Sequence, residues 1–347
     1  MHKKIEYKLL IIDKLMKNIK KRLTNTYINS IMIQENNLRK HFPKQNVHKE
    51  IKLKVLNFGS LNIDHVYSLE HIVQSGETIL SHKMEMFCGG KGLNQSIALA
   101  RAGVPVYHAG LIGTDGQLLF DACAEYGVDA TYIKKLDAQG GHTVIQVDEQ
   151  GQNCIILYGG TNQMQTKEYI DEVLSHFGTD DYLILQNEIN LLDYLIDRAY
   201  ERRMRIVLNP SPFDDKLKKC DLSKISLFLL NEIEGEQFTG QSDPDKMLCC
   251  LAEKFCHAQF VLTLGSQGSV YYDGIRKIYQ DIFPVKAVDT TAAGDTFTGY
   301  FLASVMKGRD IAMSLRIAAK ASSIAVSRAG AVSSIPSASE VESTMQV

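Results

Sequence analysis

Val288-Asp289-Thr290-Thr291-Ala292-Ala293-Gly294-Asp295-Thr296-Phe297 runs directly into an apolar segment, Thr298 to Met306. The small residues Ala292, Ala293 and Gly294 predict a tight turn whose backbone N–H groups can come close to a ligand. Behind it, Phe297, Tyr300, Phe301, Ala303 and Val305 have the mixed 3.6-type spacing of a packed helix. A helix N-terminus carries orphan N–H donors and a partial positive charge, so the turn reads as an anion site. Asp295 is placed at the mouth of that site, where a carboxylate can take the proton of a hydroxyl as a phosphoryl group arrives. The competing local reading is a helix cap, a common task for an aspartate at such a place.

Working outward, most of the chain after Thr166 alternates helix and strand. A helix over 167–177 precedes a strand at Tyr182–Leu185, and a helix over 190–203 precedes a strand at Arg205–Leu208. A strand at Ser226–Leu230, a helix over 243–257 and a strand at Phe260–Leu264 continue the series. The front half is richer in strands. Residues 52–59 read as a strand ending in a tight turn, and Val66–Val73 and Glu77–Phe87 as short extended segments around Ser75-Gly76. Ser96–Ala102 is read as a small-residue helix, and His142–Val147 with Cys154–Tyr158 as a hairpin around residues 148–151. The expected class is α/β, with a mostly parallel central sheet flanked by helices and a smaller β-sheet appended. Ligands on such sheets sit at the carboxyl ends of the strands. Asn62, Asp64, Glu188, Asn209, Asn231, Glu234, Gly265 and the 289–295 turn all follow strands, which points to one shared site.

The composition, 45% hydrophobic and 22% charged over 347 residues, is that of a soluble globular chain. No apolar run is long enough to span a bilayer, and charges break up anything resembling a signal-peptide core near the start, so the cytoplasm is the expected compartment. The seven cysteines form no CxxC pair, which speaks against a zinc knuckle or a disulfide framework; Cys249, Cys250 and Cys256 are read as core residues of a helix.

The net charge of −2 hides an asymmetry. Residues 1–50 hold twelve Lys/Arg against four Asp/Glu, about +8, leaving about −10 on the remainder, and the first of the 25 glycines is Gly59. Ile5, Leu9, Ile12, Met16, Ile19 and Leu23 fall on one helical stripe, so 1–50 reads as a basic, helical N-terminal extension to a domain over 51–340. Such an arm can contact a partner, a membrane or nucleic acid. It lacks the glycine turn of a helix-turn-helix, and a dispensable arm is the simpler expectation.

A second glycine-rich element, Gly89-Gly90-Lys91-Gly92-Leu93-Asn94-Gln95, is neither a Walker A loop nor a GxGxxG fingerprint. Paired glycines before a helix let backbone approach a polyol, and Asn62, Asp64 and Asn94 supply donors and acceptors suited to vicinal hydroxyls. GGKGLNQSIALARAG at 89–103 and DTTAAGDTFTGYFLA at 289–303 together resemble the two signatures of the ribokinase-like (PfkB-type) carbohydrate kinase family. The likeness runs from about Lys54 to Pro336. GSLNIDH, SGETI, LQNE at 185–188, LNPSP at 208–212, LLNEIEGE at 229–236 and LTLGSQG at 262–268 place it in the ribokinase branch.

The resemblance implies an ATP-dependent kinase acting on a sugar hydroxymethyl group, D-ribose to D-ribose 5-phosphate. It implies Asp295 as general base and the N–H groups of Ala292, Ala293 and Gly294 as the anion hole. By the same likeness Asn62, Asp64, Gly90, Lys91, Asn94 and Glu188 hold the sugar. Asn231 and Glu234 match the motif that handles Mg²⁺ through water and supports the nucleotide phosphates. Thr263, Gly265, Ser266 and Gly268 match the loop over the nucleotide, with Gly294 also beside it. Asp289, Thr291, Ala325, Arg328, Gly330 and Ser334 match a monovalent-cation loop that uses K⁺, several of them through carbonyls. The segments near 63–87 and 142–158 resemble a β-sheet lid that often forms a homodimer interface. Ala319, with Lys320 beside it, stands where the family often places a histidine against adenine, and residues 1–50 have no counterpart in the simple members.

These parts make chemical sense together, because phosphoryl transfer needs positioning and charge neutralisation more than covalent help. Deoxyribose, fructose, adenosine and pseudouridine are alternative acceptors within the family; polar Asn62, Asp64 and Glu188 favour a compact hydroxylated sugar. A sugar-responsive regulator on the same fold is the alternative from another class, with nucleic acid as the partner of its basic arm. The retention of Asp295, Gly294 and Asn231 speaks for an enzyme, with sugar and ATP as partners and no membrane or nucleic acid.

Overall fold

A computed structural model describes residues 53–345, and the expected N-terminal helix lies outside them. The described residues form two sheets. The larger has nine strands in the order β13-β12-β11-β10-β9-β8-β1-β4-β5. Its parallel part comprises β1 (Val55–Phe58), β4 (Tyr107–Ile112), β5 (Asp129–Lys135), β8 (Tyr182–Gln186), β9 (Arg205–Asn209), β10 (Leu227–Asn231) and β11 (Gln259–Thr263). The antiparallel strands β12 (Ser269–Tyr272) and β13 (Lys277–Gln280) extend one edge. The smaller sheet has the order β3-β2-β6-β7, from β2 (Asn62–Ser68), β3 (Lys83–Gly89), β6 (Gly141–Val147) and β7 (Asn153–Tyr158).

The helices are α1 (Lys91–Arg101), α2 (Gln117–Tyr126), α3 (Lys167–Leu174), α4 (Leu192–Glu201), α5 (Glu232–Thr239), α6 (Pro244–Lys254), α7 (Ala293–Met306), α8 (Ile311–Val326) and α9 (Ala338–Met345). They cover both faces of the large sheet, which is why β10 reads as an unbroken apolar run. Leu227 and Leu229 join the core formed with α1, α7 and α8, while Phe228 and Leu230 join the core formed with α3, α4 and α6. The expected class, a helix-flanked and mostly parallel sheet with a small β-sheet beside it, is the one observed.

Several local expectations shift. The extended segments around Ser75-Gly76 are strands only at Asn62–Ser68 and Lys83–Gly89, because those are the residues that pair across the small sheet. Helix α1 begins at Lys91 rather than Ser96, and α7 at Ala293 rather than Thr298. The reading of core cysteines in α6 is wrong: Cys249 and Cys256 are exposed and Cys250 is half-buried. Met247, Leu248 and Leu251 supply the buried stripe instead, and the helix ends at Lys254. Strands β4 and β5 and helices α2, α5 and α8 had no separate sequence expectation. No helix of the described residues is long and apolar enough to cross a membrane.

One buried histidine gives the fold a testable pH dependence. His108 on β4 is fully buried and shares a hydrogen bond with Ser96 Oγ of α1 at 2.8 Å. Burial pushes its pKa down from 6.5 to about 4. The unfolded chain therefore holds this proton more tightly. The contribution to stability is complete above pH 6.5 and is lost as pH falls toward 4, amounting to about 3 kcal/mol over that window. Urea unfolding of His108→Gln at pH 7 and pH 4.5 should show a smaller acid loss than the parent chain; equal losses would remove His108 as the cause.

Candidate active site

Strand ends build the site. Asn62 opens β2, Glu188 lies just past β8, Asn209 ends β9, Asn231 ends β10 and Thr263 ends β11, paired in register with Asn231. Together with the start of α1, the small sheet and the start of α7, they line a cleft of about 450 Å³. Of the residues read as following strands, Asn62, Asp64, Glu188, Asn209, Asn231, Glu234 and the 290–295 turn face this one space, together with Gly90, Lys91, Asn94 and Thr263, whereas Gly265 and Asp289 do not line it. A second cleft of about 410 Å³ takes in Gly265, Ser266, Gly268, Phe283 and Ala319, and shares Thr263, Thr290, Ala293, Gly294 and Phe297 with the first. The two spaces meet at the start of α7.

The tight turn before α7 has one left-handed residue, Ala292, at φ 58°, and Gly294 is helical. Gly294 lines both clefts, and a Cβ there would meet no protein atom within 4 Å, so packing alone does not require glycine at this position. The Ala293 N–H donates to Thr290 O at 3.2 Å, whereas the next two N–H groups of the helix start have no intrahelical partner. Gly294 N and Asp295 N are thus without a backbone partner at the helix start, next to the Ala293 N–H of the expected anion hole.

Asp295 is buried, 6% exposed, rather than standing at an open mouth. It does not cap the helix: no side-chain cap is made at α7, so the bland alternative fails. Its Oδ2 accepts from Asn94 Nδ2 at 3.0 Å and its Oδ1 from Gln95 Nε2 at 2.9 Å. The cause of this meeting is Gly299. A Cβ at 299 would lie 2.4 Å from Ala98 Cβ, so α7 can press against α1 only because that atom is missing. Ala98 and Gly299 each lie one turn beyond Asn94 and Asp295, so the close crossing brings the amides to the carboxylate.

The glycines before α1 are also explained by packing. A Cβ on Gly92 would lie 2.4 Å from Ser60 N, and one on Gly89 would lie 2.0 Å from Asp64 Oδ2. Gly90 alone needs a left-handed backbone, φ 92°, and it alone of the three lines the cleft. Asn94 Oδ1 is buried without a partner, an acceptor free for a hydroxyl.

Buried charges surround this space. Burial raises the Asp64 carboxyl above its ordinary value, partly offset by the 2.6 Å hydrogen bond from Thr143 Oγ1. Burial likewise raises Glu188, against the Lys91 charge, the Ser60 hydroxyl and the Lys91 N–H at 3.0 Å. Burial opposes the charge on Lys91, but Asp295, Glu188 and Glu234 outweigh it and hold the ammonium above its usual value. A cation is thus kept among three carboxylates, where an incoming anionic group would also find it.

Asn231 and Glu234 form a reciprocal cap on α5. Glu234 N donates to Asn231 Oδ1 at 2.9 Å, and Asn231 N and Nδ2 donate to the Glu234 carboxylate at 2.9 and 3.2 Å. In the second cleft, Gly265 and Gly268 have φ 52° and 94°, and Lys320 lies 5.0 Å over the Phe283 ring beside Ala319.

The proposed cation loop is brought together only in part by hydrogen bonding. Asp289 Oδ1 accepts from Thr291 N at 2.8 Å and Oδ2 from Gly330 N at 2.9 Å. Burial pushes the Asp289 carboxyl up, but those bonds outweigh it and hold it below its ordinary value. Arg328 N donates to Ala325 O at 3.0 Å, while the Arg328 guanidinium turns to Glu340 at 2.7 Å, and Ser334 Oγ donates to Ala331 O at 2.7 Å.

Three residues escaped the sequence reading. Gln95 holds Asp295, Thr143 holds Asp64, and Asn162 Nδ2 donates to Asn62 Oδ1 at 2.7 Å while its Oδ1 accepts from Leu61 N at 3.0 Å. Thr143 and Asn162 lie 79 and 100 positions from their partners, so no local pattern could signal them. Gln95 stood inside the quoted motif, but only the helix crossing reveals its partner.

The family model for "pfkB family carbohydrate kinase" matches residues 52–338, nearly all of the described chain. The chain belongs to the pfkB carbohydrate kinases. The kinase is 33% identical over 295 residues to a ribokinase of Haemophilus influenzae, an alignment covering 81% of this chain and 95% of that protein. It superposes on the ribokinase of Arabidopsis thaliana, solved with ribose and ATP, with a TM-score of 0.75 at 28% identity, covering 86% of this kinase and all of that chain. The ribokinase of Cryptococcus neoformans, solved with ADP, gives a TM-score of 0.74 at 30% identity over 84% of this kinase and 99% of that chain.

Proposed function

We propose that this kinase transfers the γ-phosphoryl group of ATP to a sugar hydroxymethyl group, with D-ribose as acceptor and D-ribose 5-phosphate as product. The observation that carries the reading is the meeting of two clefts at the start of α7, with Asp295 in the polar one. Asn62, Asp64, Gly90, Lys91, Asn94 and Glu188 hold the sugar in that cleft. Asn231, Thr263, Gly265, Ser266, Gly268 and Gly294 hold the nucleotide in the neighbouring one, where Phe283 and Ala319 offer an apolar slot to the base. Asp295 takes the hydroxyl proton as the new P–O bond forms and the bond to ADP breaks. The N–H groups at the start of α7 receive the charge of the transferring group.

The residues fit Mg²⁺ held through water. Both oxygens of Glu234 already accept capping bonds, and no group of three or more His, Cys, Asp or Glu among the described residues converges to hold a metal. Asn231 and Glu234 would hold Mg²⁺ through water, and the ion would supply charge neutralisation for the transferring group. The all-oxygen set of Asp289 with the carbonyls near Thr291, Ala325, Arg328 and Gly330 suits K⁺, behind the turn that carries the anion hole.

We assign the small sheet as a lid and the edge strand β7 as a homodimer surface. Support comes from its unpaired sheet edge and from exposed Ile156, at 60%, on the face opposite Ile155 and Leu157, which line the cleft. Sedimentation velocity at micromolar concentration should show a dimer, and a monomer would remove the assignment. The cytoplasm is the proposed compartment.

The deciding experiment is ADP release with Mg-ATP across ribose, deoxyribose, fructose, adenosine and pseudouridine, in K⁺ and in Na⁺. Ribose should give the highest kcat/KM and K⁺ the higher rate. Preference for a nucleoside or ketose would overturn the acceptor, and equal rates in the two salts would overturn the cation loop.

A further inference from the structure

Asp295 is held by two amides of different kinds. Asn94 lines the sugar cleft, and its Oδ1 is buried without a partner. Gln95 is fully buried, does not line the cleft, and its Nε2 points at Asp295 Oδ1. An amide can present either its oxygen or its NH₂ to a neighbour, and only the NH₂ suits a carboxylate. The sense of Gln95 is set from the far end of a buried chain. Gly92 O, a backbone carbonyl, can only accept; it receives Asn57 Nδ2 at 2.8 Å, which turns Asn57 Oδ1 toward Gln186. Gln186 Nε2 donates to that oxygen at 3.1 Å and to Gln95 Oε1 at 2.7 Å. Gln95 is left with its NH₂ toward Asp295. Asn57, Gln95 and Gln186 are all at 0% exposure, out of contact with bulk solvent.

We propose that Gln95 is a positioning residue that fixes the rotation of the Asp295 carboxylate for proton transfer, and that Gln186 and Asn57 lock the sense of the Gln95 amide. This rests on the reading of Asp295 as general base. A carboxylate has a broad torsional well about its last bond, so without Gln95 its remaining lone pairs spend less time aimed at the hydroxyl. A small misplacement of this kind can cost up to about a hundredfold in rate. Sugar contacts are made by other residues, so KM is spared. Gln186 touches neither substrate nor Asp295 and acts only through Gln95.

The test is a set of steady-state measurements on the full chain with Mg-ATP and its best sugar, with thermal melting as a fold control. Gln95→Met should lower kcat about 30- to 100-fold with sugar KM within about threefold, and Gln186→Met should lower kcat about tenfold. The double variant should be no slower than Gln95→Met alone, because removing the lock from an absent amide changes nothing. Losses that multiply, an unchanged kcat in either single variant, or a loss carried by KM would each overturn the proposal. If Gln95→Met does not fold, Gln186→Met decides on its own by the same kcat and KM criteria. Asp295→Asn separates the two readings. If that variant still turns over, the base assignment fails and this proposal with it; if it is inactive while Gln95→Met matches the parent, only the positioning role fails.

Discussion

Asp295→Asn is expected to lower kcat by about a thousandfold or more while leaving sugar KM within a few-fold of the parent. The substitution keeps the volume of the side chain and removes its ability to take a proton. Sugar contacts from Asn62, Asp64 and Glu188 are untouched, so the loss belongs to the chemical step. The same variant should also melt a few degrees lower. Asp295 accepts amide donors on both oxygens, from Asn94 and from Gln95, and a neutral amide can accept on only one side. One buried NH₂ then faces another, at a cost of about 1–3 kcal/mol. Steady-state kinetics with a melting curve checks both statements. Substantial residual turnover in a folded variant would end the assignment of Asp295 as base.

The second large effect is expected at a residue with no chemistry of its own. Gly299→Val should cost about 3 kcal/mol of stability, roughly 5 °C in Tm for a domain of this size, and lower kcat by at least about tenfold. A Cβ at this position meets Ala98 Cβ at 2.4 Å and the backbone of Ala98 and Leu99 at 2.9 Å, so relief requires the helices to part. Helix propensity favours valine over glycine by less than 1 kcal/mol, too little to offset that clash. Parting α1 from α7 draws Asn94 and Gln95 away from Asp295, so stability and kcat should fall together. A variant that melts like the parent would show that the crossing is slack; one that melts lower with full kcat would separate packing from catalysis.

Much of the site was legible because its parts are local. A turn of small residues before an apolar helix, an Asn and an Asp just past a strand, and a cap such as Asn231 with Glu234 each obey short-range rules of backbone geometry. The helix begins at Ala293, earlier than its apolar spacing suggested, and the Ala293 N–H is a turn donor to Thr290 O. The cysteines of α6 were misjudged for a related reason. A helix buries one stripe, and Met247, Leu248 and Leu251 had a better claim to it than Cys249.

By itself the sequence determined the class of the fold and the carboxyl ends of the strands as the place of the site. These follow from hydrophobic period and from the rule that helix-flanked parallel sheets carry ligands at one edge. Only the tertiary structure decided what each polar group is attached to. Asp295 meets Asn94 and Gln95 across about 200 residues, Asp64 meets Thr143 across 79, and Asn62 meets Asn162 across 100. Such pairings depend on how closely two helices cross and on which strand lies beside which, and a hydrogen bond fails over a change of an ångström. No periodicity in one segment carries that distance; the missing Cβ of Gly299 against Ala98 does.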